Sequence, residues 1–73
     1  MTKKFRWFLV SIQIGLDSGD EYGLLEFLED FGLREDFGES ADEFYPFFED
    51  FSELVEWRDQ IEFLGREVKR LLA

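Results

Sequence analysis

Seventeen of the chain's eighteen carboxylates lie between Asp17 and Glu62, where only two bases, Arg34 and Arg58, accompany them. Two bases against seventeen acids leave this middle block at −15. The first sixteen residues carry +3 from Lys3, Lys4 and Arg6, and the last eleven carry +2. Self-repulsion on this scale opposes any compact state, so a charge-independent force must hold the fold. The same block holds ten aromatic residues. Burying each large apolar side chain contributes roughly 1.5–3 kcal/mol. A folded form of this chain must therefore turn its aromatics inward and its carboxylates outward.

The 73 residues make one small acidic domain, 1–73, and a chain this short buries only ~60% of its unfolded surface. There is no cysteine to staple it and no histidine for the usual zinc sites. Lys3 and Lys4 precede the apolar Phe8-Leu9-Val10, as in a signal peptide. Arg6, Ser11 and Gln13 interrupt that run, and no small-residue cleavage site follows. Nothing approaches the ~20 apolar residues of a membrane span, and the acidic block is repelled by anionic head groups. The expectation is a soluble cytoplasmic protein without membrane contact.

Periodicity predicts an α+β fold: one N-terminal strand, a short capped helix and a long C-terminal helix, with room for a second short strand. From Phe5 to Leu16 the even positions Phe8, Val10, Ile12, Ile14 and Leu16 alternate with Ser11, Gln13 and Gly15, a period of two. No tight-turn dipeptide follows, so the strand needs a later segment or a second copy as partner. Ser18-Gly19-Asp20-Glu21 fits a capping box. Leu24, Phe27, Leu28 and Phe31 then recur at helical spacing, with Gly32 to end the helix. Residues 33–43 read as a polar connector holding a possible extended piece at Leu33–Phe37. Ser40-Ala41-Asp42-Glu43 is a second capping-box match, yet Pro46 follows past the first turn. Phe44–Phe48 is thus either a short helix broken at Pro46 or an edge strand. Leu54, Trp57, Ile61, Leu64, Val68 and Leu71 form a heptad stripe, predicting one long helix from about Phe51 to Leu72 with Asp50 and Glu53 to cap its start. Val55 and Phe63 fall off that stripe, on the face of Glu56, Asp59 and Glu62.

The usual catalytic constellations are missing. Four serines have no histidine or cysteine beside them, and a domain this small offers no sugar pocket for paired carboxylates. No enzyme activity and no cofactor are expected. Asp17, Gly19 and Glu21 imitate the opening of a calcium loop, but Tyr22 stands at its sixth position and Leu28 at its twelfth, where glycine and glutamate are required. No metal site is expected. Direct nucleic-acid binding is not expected either, because the basic ends are short and mixed with apolar residues.

The acids themselves remain as the signal. Carboxylates one helical turn apart approximate the spacing of phosphates along a strand, ~6–7 Å, if folded segments present them in rows. In size, charge and compactness the chain resembles the small acidic nucleic-acid mimics of phages and mobile elements, among them anti-CRISPR and anti-restriction proteins. The resemblance rests on no motif. It implies an inhibitor that occupies the basic groove of a nucleic-acid-binding protein or complex. The residues expected to meet that partner are Glu26, Glu29, Asp30, Glu35, Asp36, Glu39, Asp42, Glu43, Glu49, Glu53, Glu56 and Asp59. Phe63 and Tyr45 are the candidates for an exposed aromatic anchor, the core being the expected place of Tyr45. A homodimer is expected through the Phe5–Leu16 strand or the Leu54–Leu71 stripe. The alternative is an acidic, aromatic interaction adaptor or activation-domain-like module, since Glu26–Phe31 and Glu43–Phe51 interleave acids with large aromatics.

Overall fold

The structure, a computed structural model, describes residues 1–32 and 41–73. The described residues form helices α1 (Lys3–Ser18), α2 (Glu21–Gly32), α3 (Ala41–Ser52) and α4 (Trp57–Leu72). No strand occurs among them, so the expected α+β fold gives way to an all-α one.

The largest correction is the N-terminal segment. Phe5, Phe8, Leu9 and Ile12 are the buried residues of α1, a spacing of three, one and three that belongs to a helix. The alternating series fails at Val10 and Ile14, which are 37% and 64% exposed. Size argues the same way. Twelve residues of strand extend about 40 Å, beyond the molecule's longest extent of 30 Å, whereas the same residues in a helix span about 18 Å. Both ends of α1 are capped. Thr2 lies in extended backbone, and its Oγ1 accepts the Phe5 N–H at 3.2 Å. Gly19 takes the left-handed conformation at φ 73°. Its N–H reaches the Leu16 carbonyl at 3.3 Å and the Asp20 N–H reaches the Gly15 carbonyl at 3.3 Å, the paired bonds of a Schellman ending.

The cap of α2 is Asp20, whose Oδ1 accepts the Gly23 N–H at 2.9 Å. The Ser18 hydroxyl, expected in that role, instead donates to the Gly15 carbonyl at 3.0 Å inside α1. Helix α3 runs unbroken through Pro46. The Phe44–Phe48 stretch is therefore neither an edge strand nor a broken helix, and the Leu33–Phe37 piece lies outside the described residues. Pro46 has no N–H for the Asp42 carbonyl, and the helix holds because Phe44, Phe47, Phe48 and Phe51 on its other side pack into the core.

The single long helix expected from Phe51 to Leu72 is interrupted at Glu53–Glu56. The Phe51 and Phe63 ring centroids stand 6.2 Å apart. In one straight helix these residues would be separated by about 18 Å, so their contact requires a reversal of the chain. The reversal is held by the Leu54 N–H on the Phe51 carbonyl (3.1 Å) and by Gln60 Nε2 donating to the Leu54 carbonyl (2.8 Å). Glu56 precedes α4 without a side-chain capping bond. Asp50 lies within α3 and Glu53 in the turn, so neither caps α4.

Helix α1 packs against both α2 and α4, and α3 packs against α4. Phe8 is fully buried. Around it stand the rings of Phe5, Phe27, Phe31, Phe44, Phe47 and Phe48, with centroids 4.7 to 6.0 Å away. Edge-on and tilted pairs at these separations add about 0.5–1.5 kcal/mol each beyond area burial. Leu24, Leu28, Leu64 and Val68 complete the core. Every phenylalanine among the described residues is part of the core or packed against it.

Candidate functional site

With the phenylalanines turned inward, the carboxylates of α2 and α3 project outward. In α2, Leu24, Leu28 and Phe31 are buried, while Glu26, Glu29 and Asp30 are exposed on the opposite side. In α3, Phe44 and Phe47 are buried, while Asp42 and Glu49 are exposed together with Asp50. Glu53 and Glu56 are exposed in the turn that follows. Neither α2 nor α3 contains a base. Helix α4 differs. Its exposed Asp59 shares the surface with Arg58, Glu62, Arg66, Lys69 and Arg70, a mixed face with more bases than acids. The sign of charge is thus sorted by helix, and Asp59 lies apart from the all-acidic pair.

Asp42 stands in the first turn of α3, where the helix dipole favours an acid, but the placement of Glu26, Glu29, Asp30, Glu49 and Asp50 runs against the stability of the helices that carry them. Glu26 and Asp30 are four residues apart and Glu26 and Glu29 three, a like-charge spacing that destabilises by a few tenths of a kcal/mol per pair, about 0.2–0.5. Glu29 and Asp30 fall in the last turn of α2, and Glu49 and Asp50 near the end of α3. No base stands in either last turn, although the negative pole of the helix favours one.

Glu43 is set apart from the others. It is half-buried and binds the start of the chain. The Thr2 hydroxyl donates to its Oε2 at 2.7 Å, and the Thr2 N–H lies 3.2 and 3.1 Å from its two oxygens. The Met1 amino group stands 3.5 Å from Oε1. The Thr2 hydroxyl, then the Thr2 N–H, hold the Glu43 carboxyl below its ordinary value; the amino group adds to this and partial desolvation opposes it. Glu43 therefore joins α3 to α1 rather than standing ready for a partner.

Two aromatic expectations are reversed. Phe63 is 7% exposed and lies against Phe47 and Phe51, so it is core and not an anchor. Its distance from the heptad stripe misled because α4 is enclosed by α1 on one side and α3 on the other. Tyr45, expected in the core, is 60% exposed on α3. Tyr22 is exposed on α2, and the local acidic surround of both tyrosines is visible in the sequence as Asp20-Glu21-Tyr22 and Asp42-Glu43-Phe44-Tyr45. Glu35, Asp36 and Glu39 lie outside the described residues. Glu21, named only as a capping residue, accepts the Trp57 indole N–H at 3.2 Å and joins the starts of α2 and α4.

Among the described residues no three carboxylates converge to hold a metal ion. No described helix is long and apolar enough to cross a membrane. Comparison with protein-family models, with curated proteins and with solved structures gave no match.

Proposed function

We propose that this protein is an acidic nucleic-acid mimic that blocks the basic nucleic-acid-binding groove of a host nuclease or defence complex, as anti-CRISPR and anti-restriction inhibitors do. The observation that carries this reading is the one-signed outer surface of α2 and α3. On α2, exposed Glu29 and Asp30 lie about one 5.4 Å turn beyond exposed Glu26, and Glu49 and Asp50 close α3, without a base in either helix and at positions that weaken the helices themselves. A surface acidic only for solubility would mix signs and keep its acids to helix starts, as at Glu21 and Asp42, rather than add Glu29, Asp30, Glu49 and Asp50 at helix ends. The −15 of the middle block also steers the chain toward a basic partner over long range.

An aromatic adaptor is the second reading, favoured by Tyr22 and Tyr45 standing exposed among the acids. One experiment separates the two. Plasmid cleavage by a panel of purified RNA-guided nucleases and restriction endonucleases is measured with and without the protein, from about 50 to 500 mM salt, over which the screening length shrinks from above ~10 Å to ~4 Å. Mimicry predicts that inhibition of a susceptible nuclease fades steeply across this range, and that substrate DNA competes with it. The variant Glu26→Lys, Glu29→Lys, Asp30→Lys loses inhibition while keeping its helical circular dichroism. Inhibition indifferent to salt and to this reversal, but lost in Tyr45→Ala, establishes the adaptor instead. No inhibition across the panel counts against both.

A further inference from the structure

The outward side of α1 exposes Arg6 and Gln13 but also a line of apolar residues, which the solvent side of a surface helix should lack. Facing away from Phe5, Phe8, Leu9 and Ile12 stand Lys3, Trp7, Val10, Ile14 and Asp17, separated by four, three, four and three residues. All five are exposed, Trp7 by 53%. This is the seam spacing of paired helices, apolar in the centre with a base at one end and an acid at the other. The end charges are the wrong way round for the helix alone. Lys3 stands at its positive pole and Asp17 at its negative pole, with no acid in the first turn and no base in the last.

We propose that two copies of this chain associate through the outer faces of α1, in antiparallel orientation. Reversed, the sequence of residue types along the seam is its own complement. Lys3 of each copy faces Asp17 of the other, Trp7 faces Ile14, and Val10 meets Val10 at the two-fold axis, as an isologous interface requires. The charge of each element favours a second copy as the occupant. Helix α1 carries three bases and one acid, while α2 and α3 carry four acids each and no base. Two molecules of net charge −10 therefore repel least when they meet at α1. Trp7 is also held in place beforehand, 5.8 Å from the Phe27 ring and 6.0 Å from the Phe31 ring, so little of its freedom remains to be lost on association. The contact differs in kind from the strand pairing and the Leu54–Leu71 packing expected from sequence. The strand is a helix, and Leu64 and Val68 of that stripe are buried within the chain. It does not depend on the mimic reading.

Sedimentation equilibrium of the whole chain from about 1 to 500 µM tests it, a range suited to an interface of modest area. The apparent mass is expected to rise from 8.8 kDa toward twice that value. Val10→Lys, at an exposed position, weakens association by about tenfold or more and retains the monomer's circular dichroism. Lys3→Asp and Asp17→Lys each weaken it by about tenfold, and the double exchange restores it. Each single exchange corrects a helix-pole charge, so the monomer melts no lower than wild type and lost association is not lost folding. A mass fixed at 8.8 kDa throughout overturns the proposal and assigns the seam to another partner. Failure of the double exchange to restore association overturns the antiparallel register.

Discussion

The Thr2 hydroxyl has two tasks at once. It accepts the Phe5 N–H that opens α1 and donates to Glu43 near the start of α3, so one small side chain couples two helix starts. Because the folded state lowers the Glu43 pKa, its contribution is fully present above the ordinary carboxyl value of 4.5 and is lost as pH falls through the lower folded value. Glu43→Gln removes this dependence. Wild type should therefore lose more of its melting temperature than the variant when pH is taken from about 6 to well below 4.5, read by circular dichroism. Thr2→Ala loses the cap as well, at a cost of about 1 kcal/mol at any pH.

At the scale of elements, Pro46 is the clearest point of local conflict. It lies inside α3 and removes a hydrogen bond that the helix would otherwise make to Asp42. Pro46→Ala is expected to stabilise the fold by about 1–3 kcal/mol, the gain of a helix N–H set against a looser unfolded chain, as measured by urea denaturation. The sequence announced the core stripe of α2, with Leu24, Phe27, Leu28 and Phe31 all turned inward. It misled at α1 because two apolar faces on one helix satisfy a period of two as readily as 3.6. Thr2 and Gly19 were the signals that distinguish them, and both lie just outside the apolar run. The break before α4 was hidden because Leu54 packs against the same core as Ile61 and Leu64, so the stripe continues across a turn. As for the site, the outward acids of α2 could be read from spacing alone. The capture of Glu43 by Thr2 could not, since the two residues are 41 apart in sequence and meet only through tertiary packing.

For the molecule as a whole, stability is concentrated around one side chain. Phe8 touches rings from α2 and α3 as well as from its own helix. Phe8→Ala leaves a cavity that the surrounding rings cannot close and should cost about 3–5 kcal/mol. Domains have about 5–15 kcal/mol in total, and small ones sit at the lower end. The variant should be largely unfolded at 25 °C by circular dichroism, whereas Phe8→Leu should remain folded with a lowered urea midpoint.

The phenylalanine core has an optical consequence. Its buried rings emit weakly, and the two tryptophans lie outside it, Trp7 on the outer face of α1 and Trp57 partly exposed at the start of α4. Intrinsic fluorescence therefore senses the surface of this molecule more than its interior. A change in Trp7 emission reports what covers α1, and one in Trp57 reports whether Glu21 still holds the indole N–H. Trp7 leans on Phe27 and Phe31, two of the rings around Phe8, so it also senses a loosening of the interior on that side, while Trp57 remains in nearly the same surroundings.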